Sequence, residues 1–307
     1  MQDPQPDFRP VPEVAEEVAP GVRRILCDNP SPMTFRGTNT YLVGTRDIAV
    51  IDPGPDDARH LEAILTALSP GQHIAHIVVT HAHLDHSPLA APLRARTGAP
   101  VHAFGDARAG RSPEMETLAA SGLAGGGEGV DAAFAPTEML ADGAELTGDG
   151  WRLRAWHTPG HFGNHIALEL GDLLFSGDLV MGWASSLVSP PDGDLTAFMQ
   201  SCERLLTRDW RRLLPGHGAP VEAPAARISE LLTHRRAREA AILQVLHAGP
   251  ADAAGLARAI YTDTPPALLG AAARNVLAHL IDLTRKSRVI HEGPLAETTT
   301  FSLAPPG

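Results

Sequence analysis

The residues with the clearest chemistry form one short motif, H-x-H-x-D-H. It is contained in the stretch Thr80-His81-Ala82-His83-Leu84-Asp85-His86. Residues 76–79 before it are a β-branched run typical of a buried strand, and the residues after it begin like a helix with proline in its first turn. Neutral imidazole and carboxylate suit zinc and related divalent ions. The spacing lets His81 and His83 bind one metal, with Asp85 and His86 directed at a second.

Three later motifs supply the ligands that a single loop lacks. Each places a polar residue next to glycine, just past a predicted strand: His157-Thr158-Pro159-Gly160-His161, Phe175-Ser176-Gly177-Asp178 and Leu214-Pro215-Gly216-His217-Gly218. His161 would complete the first metal site and His217 the second, and Asp178 could bridge both ions. A loop histidine beside glycine is more often solvated than bound to metal. All three motifs in this order after H-x-H-x-D-H are nevertheless a strong signal.

Composition and charge limit the classes of function. With 307 residues, 43% hydrophobic and 20% charged, the chain is an ordinary globular protein with room for a core domain and a small second one. No secretory signal or membrane-spanning run is visible, and Cys27 and Cys202 suggest no disulfide framework. We therefore expect a cytoplasmic protein with no membrane partner. The net charge of −11 disfavours non-specific nucleic-acid binding, although residues 234–292 carry eight basic against five acidic side chains.

The order of predicted elements divides the chain into regions. Residues 1–20 are rich in proline and glutamate and predict a loosely attached lead-in. Alternating strands and helices predict an α/β layered catalytic domain at 21–222. Within it, the glycine-rich residues 105–137 predict a flexible insertion, either over the mouth of the site or without a role. Residues 223–307 show three helical segments and two β-like runs, the outline of a winged helix.

The ordered ligand set resembles that of the metallo-β-lactamase superfamily over about residues 20–220. The resemblance implies an αββα sandwich with two divalent metal ions at one edge, between the sheets. It assigns His81, His83 and His161 to one metal, Asp85, His86 and His217 to the other, and Asp178 between them. Asp52 and Thr80 match positions that commonly orient the ligands. Zinc is the expected metal, with iron and manganese as alternatives.

A narrower resemblance, to the β-lactamase-like protein 2 group, covers nearly the whole chain. It rests on N-P-S-P-M-T at 29–34, G-T-N-T-Y-L-V-G at 37–44 and P-P-D-G-D at 190–194. The group also carries a C-terminal winged helix. Phe162 departs from its pattern, which usually has Thr or Ser there, and the change could reshape the substrate side. We predict substrate contacts from Arg36, Phe162 and Arg235, with the C-terminal region bordering the cleft.

These observations leave several functions open. Two metal ions can hold a shared hydroxide and polarise an electrophile, with Asp85 or Asp178 accepting the proton. The first hypothesis is a small-molecule hydrolase acting on an ester, thioester or lactone. The alternative, suggested by the narrower resemblance, is an endoribonuclease for single-stranded RNA. A β-lactamase is less expected because the resemblance implies that true β-lactamases usually lack the Asp178 carboxylate. A regulator without catalysis is disfavoured by the intact ligand set.

Overall fold

A computed structural model of the chain describes residues 3–123, 125–126 and 129–305. Two β-sheets pack face to face and helices cover both outer faces, which is the predicted αββα sandwich. The strands are β1 (Glu16–Ala19), β2 (Val22–Leu26), β3 (Asn39–Val43), β4 (Asp47–Ile51), β5 (His73–Val78), β6 (Val101–Ala103), β7 (Glu138–Met139), β8 (Glu145–Gly148), β9 (Trp151–His157), β10 (Ile166–Leu170), β11 (Leu173–Gly177), β12 (Arg212–Pro215), β13 (Ala251–Asp252), β14 (Val289–His291) and β15 (Thr300–Leu303). The α-helices are α1 (Ala58–Thr66), α2 (Ala90–Thr97), α3 (Pro113–Ala120), α4 (Leu195–Leu205), α5 (Pro224–Leu246), α6 (Ala253–Ile260) and α7 (Leu269–Arg285), with a 3₁₀ turn at Pro266–Leu268.

The first sheet has the strand order β1-β2-β3-β4-β5-β6-β7. Its central strand β4 is apolar on both faces because side chains alternate along a strand. Ile48 and Val50 pack under the helices α1 and α2, whereas Ala49 and Ile51 pack against the second sheet. β4 and β5 run parallel, so their carboxyl ends lie side by side at one edge.

The second sheet has the order β12-β11-β10-β9-β8. Leu174 and Leu213 face the helices α4 and α5, and Phe175 and Leu214 face the first sheet. β9 and β11 each pair antiparallel with β10, and β12 pairs parallel with β11. The strands β9, β11 and β12 therefore end at the same edge, where the predicted ligand loops begin.

The C-terminal region consists of α5, α6, α7 and a small sheet of order β13-β15-β14, which is the winged-helix outline. Helix α5 connects two cores: Ile228 and Leu231 pack with α4, whereas Ile242 and Leu246 join α6 and α7. None of the helices in the described part of the chain is long and apolar enough to cross a membrane.

The lead-in is attached more firmly than its composition predicts. β1 pairs with β2, and the buried Phe8 stacks on Phe35 with ring centroids 6.5 Å apart. Glu13 contacts the imidazole of His60 at 2.6 Å. The prediction of a loose segment is wrong for the described residues because aromatic packing and a hydrogen bond to the buried His60 outweigh the polar composition.

The insertion at 105–137 is also more ordered than predicted in its described part. It contains helix α3, whose Met115 and Leu118 enter the core of the C-terminal region. Arg111 donates to the Asp192 carboxylate at 2.6 Å. Residues 124, 127 and 128 of this insertion lie outside the described residues. Apolar side chains at helical spacing, set between the glycines, anchor the segment to the second domain.

Candidate metal centre

The seven predicted ligands lie together at one edge of the sandwich. They come from the loops that follow β5, β9, β11 and β12, and all are buried: His81, His83, Asp85, His86, His161, Asp178 and His217. Candidate ligand atoms within 4.8 Å of one another form the groups His81–His83–His161, Asp85–His86–His217 and His81–His86–Asp178. The structure thus brings together the residues that the sequence pattern selected.

The first group, the His161 group, consists of the imidazoles of His81, His83 and His161. His83 Nδ1 lies 2.9 Å from His81 Nε2 and 3.0 Å from His161 Nε2. His161 Nδ1 donates to the Leu187 carbonyl at 2.7 Å. A neutral imidazole has one N–H and one lone pair, so Nε2 of His161 presents its lone pair to the centre.

The second group, the His86 group, consists of Asp85, His86 and His217. His217 Nε2 lies 3.1 Å from Asp85 Oδ2 and 3.3 Å from His86 Nε2. His86 Nδ1 donates to the Asp52 carboxylate at 2.9 Å, and His217 Nδ1 donates to the Gly37 carbonyl at 3.1 Å. In the neutral rings both Nε2 lone pairs therefore point inward. This arrangement of outward donor and inward lone pair is typical of metal-binding histidine.

The Asp178 carboxylate lies between the two groups. Its Oδ2 is 3.2 Å from His217 Nε2 and 3.7 Å from His161 Nε2. Its Oδ1 is buried, lies 3.6 Å from His86 Nε2 and makes no hydrogen bond to the described residues. A buried carboxylate oxygen without a hydrogen bond is costly, and a cation at this position would satisfy it. The residues present therefore fit divalent metal ions.

Asp52 and His165 bind His86 and Asp178 on the side away from the centre. Asp52, at the end of β4, accepts from Thr80 N at 2.7 Å and from Thr80 Oγ1 at 2.8 Å as well as from His86. Its φ of +51° is strained for a non-glycine residue, which is typical of functional sites. His165, which the sequence reasoning missed, accepts from Asp178 N at 3.2 Å. The available signal was its place four residues after His161.

The two groups differ in electrostatics. Burial lowers the pKa of His83 to about 3, with neighbouring His161 adding to the shift, and it lowers the pKa of His81 as well. Burial also opposes protonation of His217, but the carboxylates of Asp178 and Asp85 outweigh it and raise the pKa to about 10. The His161 group therefore offers neutral nitrogens. In the His86 group, protons on the imidazoles balance the negative charge of the carboxylates. A bound metal ion can take the place of those protons.

The candidate metal centre opens into a cavity of about 610 Å³. Five of the candidate ligands reach its surface, and most of the remaining wall is apolar. The apolar side chains include Met33, Phe35, Met181, Trp183, Leu187 and Leu268. The C-terminal region contributes part of the wall through Tyr261, Leu268 and Asn275, and the lead-in contributes Asp3. Among the described lining residues there is no arginine or lysine.

The predicted substrate contacts do not lie on this wall. Phe162 is fully buried and packs against His83, with ring centroids 4.9 Å apart. Arg36 donates to Asp3 at 2.6 Å and lies over the ring of Phe35. Arg235 is buried behind the loop at 186–188. The predicted direct contacts with substrate are therefore not found at the cavity wall. Each of the three side chains is turned towards the protein and supports residues of the site instead. The wall residues Phe35 and Trp183, which stack at 5.0 Å, were missed; isolated aromatics near ligand motifs were the available signal.

The comparison with known families decides the classification. The pattern of the Metallo-beta-lactamase superfamily matches residues 33–217, more than half of the chain and a span that includes all seven candidate ligands. The chain belongs to the metallo-β-lactamase superfamily. Residues 253–296 match the Beta-lactamase associated winged helix domain. This hydrolase therefore has His and Asp clusters able to bind metal, and the predicted family, fold and enzyme class are confirmed.

Individual relatives agree with this classification. The chain is 33% identical over 282 residues to the Beta-lactamase-like protein 2 homolog of Drosophila melanogaster, covering 87% of this chain and 89% of that protein. It is 30% identical over 251 residues to the atrochrysone carboxyl ACP thioesterase of Aspergillus fumigatus, covering 78% of this chain and 69% of that protein. A beta-lactamase domain protein from Burkholderia ambifaria has the same fold, with a TM-score of 0.78 and 24% identity over 98% of this chain and 96% of that chain.

Proposed function

We propose that this hydrolase uses two divalent metal ions to cleave thioesters whose acyl group is apolar and uncharged. The reaction consumes one water molecule and releases a carboxylic acid and a thiol. The observation that carries the proposal is the position of the His/Asp clusters at the floor of an apolar cavity without arginine or lysine in its described lining.

The lining favours a small apolar substrate over RNA. A polynucleotide brings one negative charge per nucleotide, and proteins that bind single strands neutralise it with lysine and arginine. In this cavity the one charged side chain among described residues outside the candidate ligands is Asp3, a carboxylate. Apolar walls of this kind gain about 25 cal/mol per Å² when an acyl chain covers them.

The C-terminal region adds a second argument against nucleic-acid recognition. A winged helix reads DNA with an exposed helix that enters a groove. Helix α7 packs one side into the core of the C-terminal region, and polar residues on the helix also bond to the catalytic domain. Asp282 on α7 accepts from Thr196 at 2.6 Å, and Arg285 donates to Asp194 at 2.9 Å. The region therefore serves the cavity rather than a separate nucleic-acid surface.

A thioester is favoured over an ester or lactone because the Aspergillus fumigatus relative is an ACP thioesterase. That likeness covers 78% of this chain and 69% of the relative. An apolar acyl group needs no cationic residue to bind it. The absence of arginine and lysine from the described cavity lining agrees with such a group.

Each residue of the site has a proposed role in hydrolysis. His81, His83 and His161 would hold one ion, Asp85, His86 and His217 the other, and Asp178 would contact both. Such ions, when bound, lower the pKa of water and polarise a carbonyl oxygen. Asp85 and Asp178 both reach the cavity surface, so either carboxylate can accept the proton of the attacking water. Phe35 and Trp183 would orient the acyl group and exclude water.

The experiment compares acyl groups on one leaving group. Zinc-loaded and manganese-loaded protein would be given acetyl, hexanoyl, benzoyl and glutaryl thioesters of N-acetylcysteamine, with released thiol measured, and a labelled single-stranded RNA in parallel. We expect the hexanoyl and benzoyl thioesters to be cleaved best, the glutaryl thioester poorly and the RNA not at all. Chelated protein and Asp178→Ala serve as inactive controls. Metal-dependent RNA cleavage without thioester cleavage would overturn the proposal.

A further inference from the structure

One buried contact network joins the C-terminal region to the metal centre. We propose that Arg235 and Asn275 are positioning residues that fix the loop segment 186–188, and through it the imidazole of the metal ligand His161. The inference rests on the proposed metal binding but not on the identity of the substrate. It assigns the C-terminal region a task in building the metal site, in addition to lining the cavity.

The segment 186–188 touches two of the candidate ligands. The Leu187 carbonyl accepts from His161 Nδ1 at 2.7 Å and so sets the orientation of that ring. Ser186 Oγ donates to the Asp178 carbonyl at 2.5 Å and to the Leu179 carbonyl at 2.8 Å. A shift of this segment would therefore move the lone pair of His161 and the main chain of Asp178 together.

Arg235 and Asn275 hold the segment on both sides of Leu187. Arg235, on α5, donates to the Ser186 carbonyl and to Asn275 Oδ1, the latter at 2.9 Å. Asn275, on α7, accepts from Val188 N at 3.0 Å with the same oxygen. Val188 N–H belongs to the same peptide group as the Leu187 carbonyl, and the Ser186 carbonyl belongs to the preceding one. Both peptide groups are thus fastened by residues that follow the sandwich in sequence.

The energetics of Arg235 favour a positional role. Its side chain is only 2% exposed and lies over the ring of Phe198 at 5.1 Å. In the described part of the chain no carboxylate is within ion-pair distance of it, so neutral oxygens and the Phe198 ring compensate its charge. A buried charge without an opposite charge costs stability, and an apolar residue of similar volume is often more stable there. Fixing a ligand loop explains why a cation occupies this position.

The ligand histidines of the other group have their rings oriented by different residues. His86 is held by Asp52 and His217 by the Gly37 carbonyl, and both supports belong to the sandwich. Loosening the segment 186–188 should therefore weaken the metal bound by the His161 group more than the metal bound by the His86 group. Loss of a partner that orients a ligand typically costs about 10–100-fold in metal affinity.

The test measures metal affinity rather than turnover. Asn275→Leu removes the acceptor oxygen at similar volume, and Asn275→Asp keeps an oxygen in place. Arg235→Lys keeps the charge but cannot reach both acceptors as a planar guanidinium does. The matched control is Arg236→Met, since Arg236 is the exposed neighbour of Arg235 and pairs with Glu203. Each protein would be titrated with Co²⁺ against a competing chelator, and its visible absorption spectrum recorded.

We expect Asn275→Leu to lose about 10–100-fold in affinity for one of two Co²⁺ equivalents and to change the spectrum of that equivalent. Asn275→Asp and Arg236→Met should match the wild type, and Arg235→Lys should be intermediate. If Asn275→Leu does not fold, as judged by its melting curve, Arg235→Lys decides the question. A folded Asn275→Leu or Arg235→Lys protein with wild-type affinities and spectrum would overturn the inference. Wild-type protein that binds Co²⁺ but cleaves no thioester would instead overturn the proposed function alone.

Discussion

The two halves of the metal centre are supported by different regions of the molecule. The His86 group is held by Asp52 at the end of β4 and by the Gly37 carbonyl, both within the sandwich. The His161 group depends on the Leu187 carbonyl, whose neighbours are fastened from α5 and α7. One half is thus built by the superfamily fold itself. The other is completed by the region that distinguishes this chain from a bare sandwich.

The two halves also differ in the protonation of their candidate ligands before metal binds. The His161 group is neutral because burial lowers the pKa of its imidazoles. The His86 group holds carboxylates and raised imidazole pKa values, so metal must displace protons there. Position and charge therefore predict that the two halves respond differently to substitution and to pH.

The largest expected effect comes from the residue that both halves share. Asp178→Ala removes the carboxylate that lies between the two groups, so both metals should bind less well. We expect hydrolysis of the hexanoyl thioester to fall by more than about 100-fold, with reduced metal content by elemental analysis. Asp172→Ala is the control, because this exposed carboxylate lies in the turn before β11 and pairs with Arg211. Two tightly bound metals in Asp178→Ala would contradict the bridging position.

A smaller and more selective effect is expected for Asp52→Asn. Asparagine tolerates the positive φ of +51° at this position, so the backbone is retained while the charge that holds His86 is lost. We expect a loss of about 10–100-fold in affinity at the His86 group. The effect on the His161 group should be smaller, because Asp52 reaches it only through Thr80 and His81. Co²⁺ titration would show the reverse of the Asn275→Leu pattern. If both variants weakened the same equivalent, the two halves would not be independently supported.

The stability of the C-terminal support should depend on pH through His279, which lies on α7 one turn after Asn275. Burial lowers the pKa of His279 to about 3, with Arg235, Lys286, His234 and Arg238 adding to the shift. The unfolded chain takes up the proton near pH 6.5, so the folded state is favoured above that value and loses stability as pH falls towards 3.

Between pH 7 and pH 5 this group should cost about 2 kcal/mol in the free energy of unfolding. His279→Leu should remove that loss, as measured by urea unfolding at both pH values. His291→Leu, at the end of β14, is the control, because its imidazole bonds only to the nearby Gly293 carbonyl in the described structure. An equal loss of stability in wild type and His279→Leu would assign the acid sensitivity to other groups.

The smallest expected effect is on substrate selectivity, through a charge at the cavity wall. Asp3 accepts from Arg36, which also keeps the pKa of the Asp3 carboxyl below its usual value. Asp3→Asn leaves the Arg36 charge uncompensated at the cavity edge. We expect the ratio of kcat/KM for glutaryl over hexanoyl thioester to rise about three- to fivefold. Asp7→Asn serves as the control, and an unchanged ratio would show that wall charge does not select the acyl group.

Much of the sandwich and the clustering of the seven candidate ligands could be predicted because their signals are local. Strand alternation, glycine beside each ligand and the spacing of H-x-H-x-D-H are visible within a few residues. The roles of Arg235 and Asn275 could not be predicted, because they depend on how α5 and α7 dock against a loop about 50 and 90 residues earlier in the chain. The lead-in was misjudged for the same reason, since Phe8 is fixed by Phe35, a residue in another segment.

The most direct test of the whole account is to titrate metal-free protein with zinc while following hydrolysis of the hexanoyl thioester. The account predicts two bound equivalents per chain and a rate that rises as the second equivalent binds. Full activity in metal-free protein, or with a single equivalent bound, would contradict a reaction that needs both halves of the centre.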